Sequence, residues 1–450
     1  MKQTLDSITA KVLRSPRTLG TILSLAQRIR PVARLGQNFF VFKHADVRTV
    51  LADTGAFEYG EGMRSKSPLG EFLVGMDDWP ATLREKAIVR QSIEASERSR
   101  LTLALEQAWE GAALSPPQPP LVYRLERTGP GTPLDLVGDY VEEFLIRFNE
   151  AFFGVAPPAD GMRSKVVSEQ GRRLMAQWLR KVGSLVLLSP PASFGLQAVA
   201  ERCAKELGDH LDQVIGAAQY AAESETESAP TILASLLQKH HEVTGERANR
   251  DFIRRHLCGL LLAANPTVIK SFVMTIVNLA AEQPSAVFDH EAADAGSTET
   301  VQPYARLRAL ASKNRLSDTT LRQAILEAMR FSPTFPLLSR TCPRHAHLQS
   351  PSAGSIVMNP GARVVVSPFA AMFDEAVFER NYLFSLSRPE DDYLHFGYGG
   401  HRCPGDRIAI ALLMFLVRKM LSHLPAERIR VEAPEYDGPT VHRCVVKIDP

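Results

Sequence analysis

The sequence predicts a mainly α chain with a small β region, and three observations carry that reading. Apolar residues recur at helical spacing through most of the chain, most strongly from about 249 to 282, "NRDFIRRHLCGLLLAANPTVIKSFVMTIVNLAAEQ". Strand character is concentrated late, in "GSIVM", "ARVVVSP" and "RCVVKI". No strand followed by a glycine loop and a helix, the unit of nucleotide-binding α/β folds, occurs anywhere.

In chain order, the basic and partly amphipathic N-terminus has no apolar run near the ~20 residues of a membrane span and no signal-peptide core. "LGQNFFVFKHADVRTVLA" (35–52) reads as a short strand and a helix opening near His44. Residues 60–80, with Gly60, Gly62, Gly70 and Gly75, read as a long loop, and "ATLREKAIVRQSIEASERSRLTLALEQAWEGA" as a helix. "LSPPQPP" (114–120) and "RTGPGTP" (127–133) mark a surface loop or a domain linker. "LDLVGDYVEEFLIRFNEAFFGV" is an apolar helix closed by Gly154 and two prolines. Helices follow through 165–220, at "TILASLLQKHHE", and at 300–312 and 317–331.

Composition narrows the function. The 450 residues carry 52 basic and 50 acidic side chains, formal charge +2, so nothing points to nucleic acid or another polyanion. A hydrophobic share of 45% supplies a sizeable core, and length alone allows two or three domains. Cys203, Cys258, Cys342, Cys403 and Cys444 are odd in number, scattered, and free of any CxxC, which suits a reducing, cytoplasmic setting.

One cysteine has unusual company. "HFGYGGHRCPGD" (395–406) surrounds Cys403 with glycines, aromatics and a His-Arg pair. Glycines let a backbone turn tightly against a flat ligand. The apolar helix "DRIAIALLMFLVRKML" follows at once, so the sulfur sits near a helix N-terminus that favours an anion. The alternative is a free cysteine buried in a glycine-rich loop.

The spacing Phe396-x-x-Gly399-x-x-x-Cys403-x-Gly405 resembles the haem-binding loop of cytochromes P450. Upstream, "AILEAMRF" places Glu327 and Arg330 three apart on one helical face, as in that family's buried E-x-x-R brace. "SPTFPLLSR" is similar to its pocket-lining segment. The resemblance, extended by the stretches 131–155 and 370–392, covers nearly the whole chain. It implies a single P450 catalytic domain over 1–450, with β-containing parts at about 30–60, 335–370 and 440–450. It implies haem b with Cys403 as thiolate ligand to iron, His401, Arg340 and Lys86 on the propionates, and Phe396, Gly397, Gly405 and Ala263 beside the cofactor. Ala264, Pro266, Phe335, Leu337, Leu338 and Met76 are expected to line the substrate pocket, with Met63 and Phe72 as further loop contacts. Glu327 and Arg330 are expected as structural supports.

Three departures stand out. "WPATLREKAIVR" has Thr82 and Lys86 where the family has a His-x-x-x-Arg pair, and Lys86 lacks arginine's fork. Leu383 falls where the family often carries an arginine for the E-x-x-R, leaving Arg380 or Arg388 to substitute. In the helix that crosses the distal side of the haem, Ala263-Ala264-Asn265-Pro266-Thr267 keeps the alcohol but has proline for the acid. A proline there removes a backbone bond and frees the Leu262 carbonyl. Thr267, with Asn265, is expected to order the distal hydrogen bonds.

The resemblance implies a monooxygenase acting with O2 on a lipophilic molecule such as a fatty acid, terpenoid or polyketide of secondary metabolism. Electrons would come from a separate ferredoxin or flavodoxin and its NAD(P)H reductase, with Arg402 and Arg407 as docking charges. The lost acid keeps open a peroxide-using or hydroperoxide-rearranging enzyme, and a haem sensor without turnover is a third reading. His240-His241 is expected on a solvated helix face and His256 in the core.

Overall fold

The computed structural model describes residues 16–60, 69–112, 114, 117–129, 131–159, 168–187, 194–221, 230–284, 300–437 and 440–448. Met63 lies outside them. The chain forms two compact units, one of residues 1–60 and 274–403, the other of 61–273 and 404–450.

The first unit holds the main sheet. Strands β1 (Val32–Leu35) and β2 (Asn38–Val41) form an antiparallel hairpin, with Leu35 opposite Asn38. β2 runs parallel to β9 (Arg363–Val366), and β6 (Leu338–Thr341) closes the order β1-β2-β9-β6 on the other side of β9. One face alternates inward as Phe39, Val41, Val364 and Val366 and buries against Val47, Val50 and Leu51 of α2 (His44–Ala52). A separate hairpin joins β7 (Ala346–Ser350) to β8 (Gly354–Met358). Helix α1 (Pro16–Ile29) seats Leu19 and Leu23 on Phe42, Phe369 and Ala370.

The second unit is helical. α3 (Pro80–Glu110) starts with proline at its first turn and Thr82 Oγ1 accepting from Trp79 N at 3.2 Å. It ends at Gly111, whose φ of 72° is left-handed. α4 (Val122–Glu126) and β3 (Leu134–Asp135) follow within the same unit, so the proline-rich stretches on either side of α4 connect elements of one unit. Asp135 accepts from Val137 N and Cys444 N and opens a helical run of π turns (Leu136–Val141 and Asn149–Phe153) around α5 (Glu142–Phe148). That run buries Tyr140, Phe144, Phe148 and Phe152, and Tyr140 donates to the Leu416 carbonyl at 2.8 Å.

Next come α6 (Glu169–Leu187), α7 (Phe194–Ala221), α8 (Ile232–Thr244) and α9 (Arg250–Ala280). Among the described residues α9 is the helix long and apolar enough to cross a membrane, yet 72% of its most apolar window is buried, as in a core helix. β4 (Gln283–Pro284), β5 (Thr300–Val301), α10 (Pro303–Ser312), α11 (Asp318–Phe331) and the short α12 (Pro368–Ala371) belong to the first unit. The second resumes with α13 (Asp406–His423), β10 (Arg430–Val431), β11 (Glu435–Asp437), β12 (Thr440–Arg443) and β13 (Val445–Lys447). Residues 300–301, expected as helix, pair as strand with 283–284. His241 is exposed as expected, but His240 is buried edge-on against Phe252, because its position faces α9. His256 is a core histidine, its Nε2 3.7 Å from Glu85, and burial lowers its pKa.

Candidate active site

In the first unit the cysteine loop is closed by its own backbone. Cys403 N donates to the Phe396 carbonyl at 2.9 Å, and Arg402 N to Gly399 O at 3.1 Å. Gly397 and Gly399 both have φ of 72°. At Gly399 the requirement is also steric, since a Cβ would come within 2.6 Å of the Ala52 Cα in α2. Arg48 of α2 holds the same loop, donating to the Tyr398 hydroxyl at 2.6 Å. Gly405 caps α13 and accepts from Ala409 N at 2.9 Å.

Within that frame Cys403 is exposed, whereas the other four cysteines are buried. Burial pushes Cys258 and Cys444 up to about 12 and Cys342 to about 11, and raises Cys203. Those four are inert core thiols. Cys403 is the one placed to ligate.

His401 stacks on Tyr59 with ring centroids 4.4 Å apart, and the Arg340 guanidinium lies 4.4 Å from the same ring. Arg340 is 3% exposed and donates to the Ser339 carbonyl at 2.9 Å. Tyr59 thus orders a cation and an imidazole in the unit that carries the thiol, a role no sequence spacing reveals. This donor set fits a haem: an accessible sulfur for iron, and buried nitrogen donors suited to carboxylates. Phe335, Leu337 and Leu338 are half-buried. Leu337 packs partly on the α1 cluster and Leu338 partly on the sheet cluster, so packing claims part of the surface expected to face substrate.

Beneath the loop, Glu327 and Arg330 of α11 are completely buried. Arg330 donates to Glu327 from Nε at 2.9 Å and Nη2 at 2.7 Å. Tyr393 Oη at 2.7 Å and Ser385 N at 3.0 Å also donate to that carboxylate. Arg388 donates at 3.3 Å and is the arginine that substitutes at this brace. Arg380 takes a left-handed φ of 47° and contributes only its carbonyl, which accepts from Arg388. His395 packs against Tyr393 and shares a hydrogen bond with the Leu326 carbonyl at 2.9 Å. Burial lowers its pKa from 6.5 to about 4, so the folded state keeps it neutral where the unfolded chain binds a proton. Stability is therefore expected in full above about pH 6.5 and to fall by up to about 3 kcal/mol as pH drops toward 4. Denaturation midpoints across that range check this: His395→Gln should flatten the slope, and an unchanged slope would exonerate the residue.

In the second unit, Leu260, Ala263, Ala264, Thr267 and Lys270 form a partly buried stripe along the middle of α9, whose other residues from 256 to 271 are buried. The Thr267 hydroxyl donates to the Ala263 and Ala264 carbonyls. Lys270, unanticipated from sequence, has its ammonium pKa lowered by burial to about 8. Asn265 and Pro266 turn away from this stripe. Asn265 exchanges hydrogen bonds with Asn149 at 3.0 and 3.2 Å and donates to Leu261 O at 2.9 Å. Both amide hydrogens are committed, so the expected distal role of Asn265 is corrected to a lock between α9 and the π turn at 149–153.

Pro266, expected in the substrate pocket, is buried with its ring against Gly183 of α6, where a Cβ would sit 2.9 Å from Cγ. α9 continues helically through it. A shallow crevice on that side is lined by Asn265, Pro266 and Ile269 together with Glu142 and Arg180, which lie 3.3 Å apart. Burial raises the Glu142 pKa, Arg180 opposing.

Lys86 is likewise corrected. It is 4% exposed, paired with Asp78 and bonded to the Met76 carbonyl at 3.1 Å, so its charge is already neutralised. Lys86→Met should cost about 1–3 kcal/mol of stability and leave haem content unchanged in the purified protein; a large loss of haem would restore the propionate role. Met76 and Phe72 are buried, and Phe72 fills the space a side chain at Gly259 would need. Among the described residues no group of three or more His, Cys, Asp or Glu is placed to bind a metal.

The cytochrome P450 family model matches residues 175–437. The chain is 29% identical to the cytochrome P450 YjiB of Bacillus subtilis over 103 residues, 23% of this chain and 25% of that protein. It is 30% identical to a steroid monooxygenase of Mycolicibacterium smegmatis over 77 residues, 17% of this chain and 19% of that one. The chain thus spans about a quarter of the length of the first curated relatives it matches. Similarity of fold extends much further. The cytochrome P450 CYP109B1 of Bacillus subtilis superposes with a TM-score of 0.66 at 18% identity, covering 94% of this chain and 98% of its own. Fold, family model and thiol loop agree: the chain belongs to the cytochrome P450 family, which holds haem b through a cysteine thiolate.

Proposed function

We propose that this protein, as one catalytic domain over 1–450, is a haem-thiolate monooxygenase that inserts oxygen from O2 into a lipophilic small molecule. The observation that carries this reading is Cys403, the exposed thiol of five cysteines, set in a self-closed glycine loop. When bound, haem supplies the oxidising chemistry, which the thiolate's electron density favours. Arg340 and His401, ordered by Tyr59, hold the anionic edge of the cofactor. Ala263 and Ala264 give α9 an apolar, partly exposed surface suited to a lipophilic substrate. The Thr267 hydroxyl, resting on the Ala263 and Ala264 carbonyls, can rotate to hand its proton forward and regain one from water. The steroid monooxygenase relative supports a lipophilic substrate. Exposed Arg402 and Arg407 suit an acidic ferredoxin or flavodoxin supplied by an NAD(P)H reductase in the cytoplasm.

A second reading, use of peroxide, is favoured by one observation. Pro266 carries no proton, and Asn265 has none to spare because its amide is locked to Asn149. A paired turnover assay separates the two. One arm supplies a surrogate ferredoxin, reductase, NADPH and air to a panel of lipophilic compounds; the other supplies hydrogen peroxide or fatty-acid hydroperoxides alone. Product confined to the first arm supports the monooxygenase, and rapid product in the second alone overturns it. Thr267→Ala should lower product formed in the first arm by about 100-fold and leave the second arm untouched.

A further inference from the structure

Between Asp251 and Glu282 the chain has no Asp or Glu, so the helix that carries Thr267 brings no carboxylic acid to replenish its proton. The ionisable side chains on that stretch are Arg254, Arg255, His256, Cys258 and Lys270. Arg254 and Arg255 pair with Asp212 and Glu85, and an arginine does not release its proton. His256 is completely buried about three turns from Thr267, and burial pushes the Cys258 thiol up to about 12. Lys270 is the group of this set that shares a face with Thr267. It follows Thr267 by three residues on the same partly buried stripe, which sets their Cβ atoms about 5–6 Å apart. A long side chain in a helix runs back over the turn that precedes it, which for Lys270 is the turn of Thr267.

The Thr267 hydroxyl commits its hydrogen to the Ala263 and Ala264 carbonyls, so what it offers the following turn is a lone pair. An ammonium is the donor that suits it. Burial lowers the Lys270 pKa to about 8, which keeps the group charged at neutral pH yet able to give up a proton. Neighbouring elements turn Glu142 and Arg180 toward this part of α9, on the crevice side by Pro266, where the two offset each other at 3.3 Å. Asn149 meets Asn265 there, and the Tyr140 ring meets Phe272 at 5.6 Å. We propose, resting on the monooxygenase reading, that Lys270 supplies protons to Thr267 during O2 reduction and takes the part of the missing acid. Its Nζ–H bond breaks as an O–H bond forms on Thr267 Oγ1, whose own proton moves forward to oxygen derived from O2. Water then reprotonates the neutral amine, and the electrons come from the reductase alone.

Two measurements on the full-length, haem-loaded protein test this role. In the reduced, carbon-monoxide-bound state, carbon-13 labelling at lysine Cε lets each lysine be titrated by NMR, and the resonance lost in Lys270→Met is that of Lys270. Its midpoint is expected near 8, against about 10.4 for an ordinary lysine. In the O2-dependent turnover assay, product formed per NADPH should fall about 100-fold in Lys270→Met, with the missing share released as hydrogen peroxide. Lys270→Arg should fall as far, because arginine keeps the charge and the reach but holds its proton; it would rescue a lysine that only packed or carried charge. Haem content and the unfolding midpoint of both variants check that the fold is intact. A lysine midpoint at the ordinary value, or wild-type coupling in either variant, overturns the role of Lys270 and leaves the monooxygenase reading standing. Product from the wild type with peroxide alone overturns that reading, and the role of Lys270 with it.

Discussion

Replacement of Cys403 by serine is expected to abolish oxidative turnover while the polypeptide stays folded. The sulfur is exposed, so the substitution removes no core packing, and the loop is closed by backbone bonds that serine retains. What changes is the residue proposed as the iron ligand. Loss of a residue that merely supports a metal ligand typically costs 10–100-fold, and loss of the ligand itself should exceed that, at least about 100-fold. Two further readouts accompany activity: haem content after purification, and the red-shifted Soret band of the reduced, carbon-monoxide-bound protein, which requires thiolate ligation. Full haem content with an unchanged band would assign the thiolate elsewhere, although the four remaining thiols are buried and burial raises their pKa values.

The second large effect is on stability and centres on Glu327. This carboxylate accepts from Arg330, Arg388, Tyr393 and Ser385, and no part of it reaches solvent. Glu327→Ala would leave Arg330 a buried cation bonded only to the Met372, Asn381 and Leu383 carbonyls, with the rings of Phe331 and Phe373 at 4.4 and 4.5 Å. Breaking one partner of a buried pair costs about 3–5 kcal/mol, far more than an exposed pair of the same spacing. Denaturant unfolding checks the figure. A loss below about 1 kcal/mol would show that the brace is solvated in solution. Arg388→Gln should cost less, because its 3.3 Å contact is the longest of the set and Arg330 remains.

The family, the helical architecture and the thiol loop were legible in sequence because each rests on local rules. Helical periodicity and the left-handed glycines 397 and 399 are dictated by near neighbours in the chain. Cys403 could be singled out for the same reason, since its loop closes within eight residues. The short strands were less legible. β6 carries Ser339, the buried Arg340 and Thr341, a run with little strand character of its own, and its pairing with β9 decides it.

The tertiary structure alone decided which charges are available. By sequence, Lys86 was a candidate for a propionate and Asn265 for the distal hydrogen bonds, but Asp78 and Asn149 claim them through contacts no spacing encodes. The choice of Arg388 over Arg380, the seat of Pro266 on Gly183 and the ordering of Arg340 and His401 by Tyr59 are decisions of the same kind. A buried polar group must find a partner, and which partner is within reach depends on how separate elements pack. Backbone conformation and amphipathic pattern are written residue by residue, whereas the satisfaction of buried charge is settled only when the chain has folded.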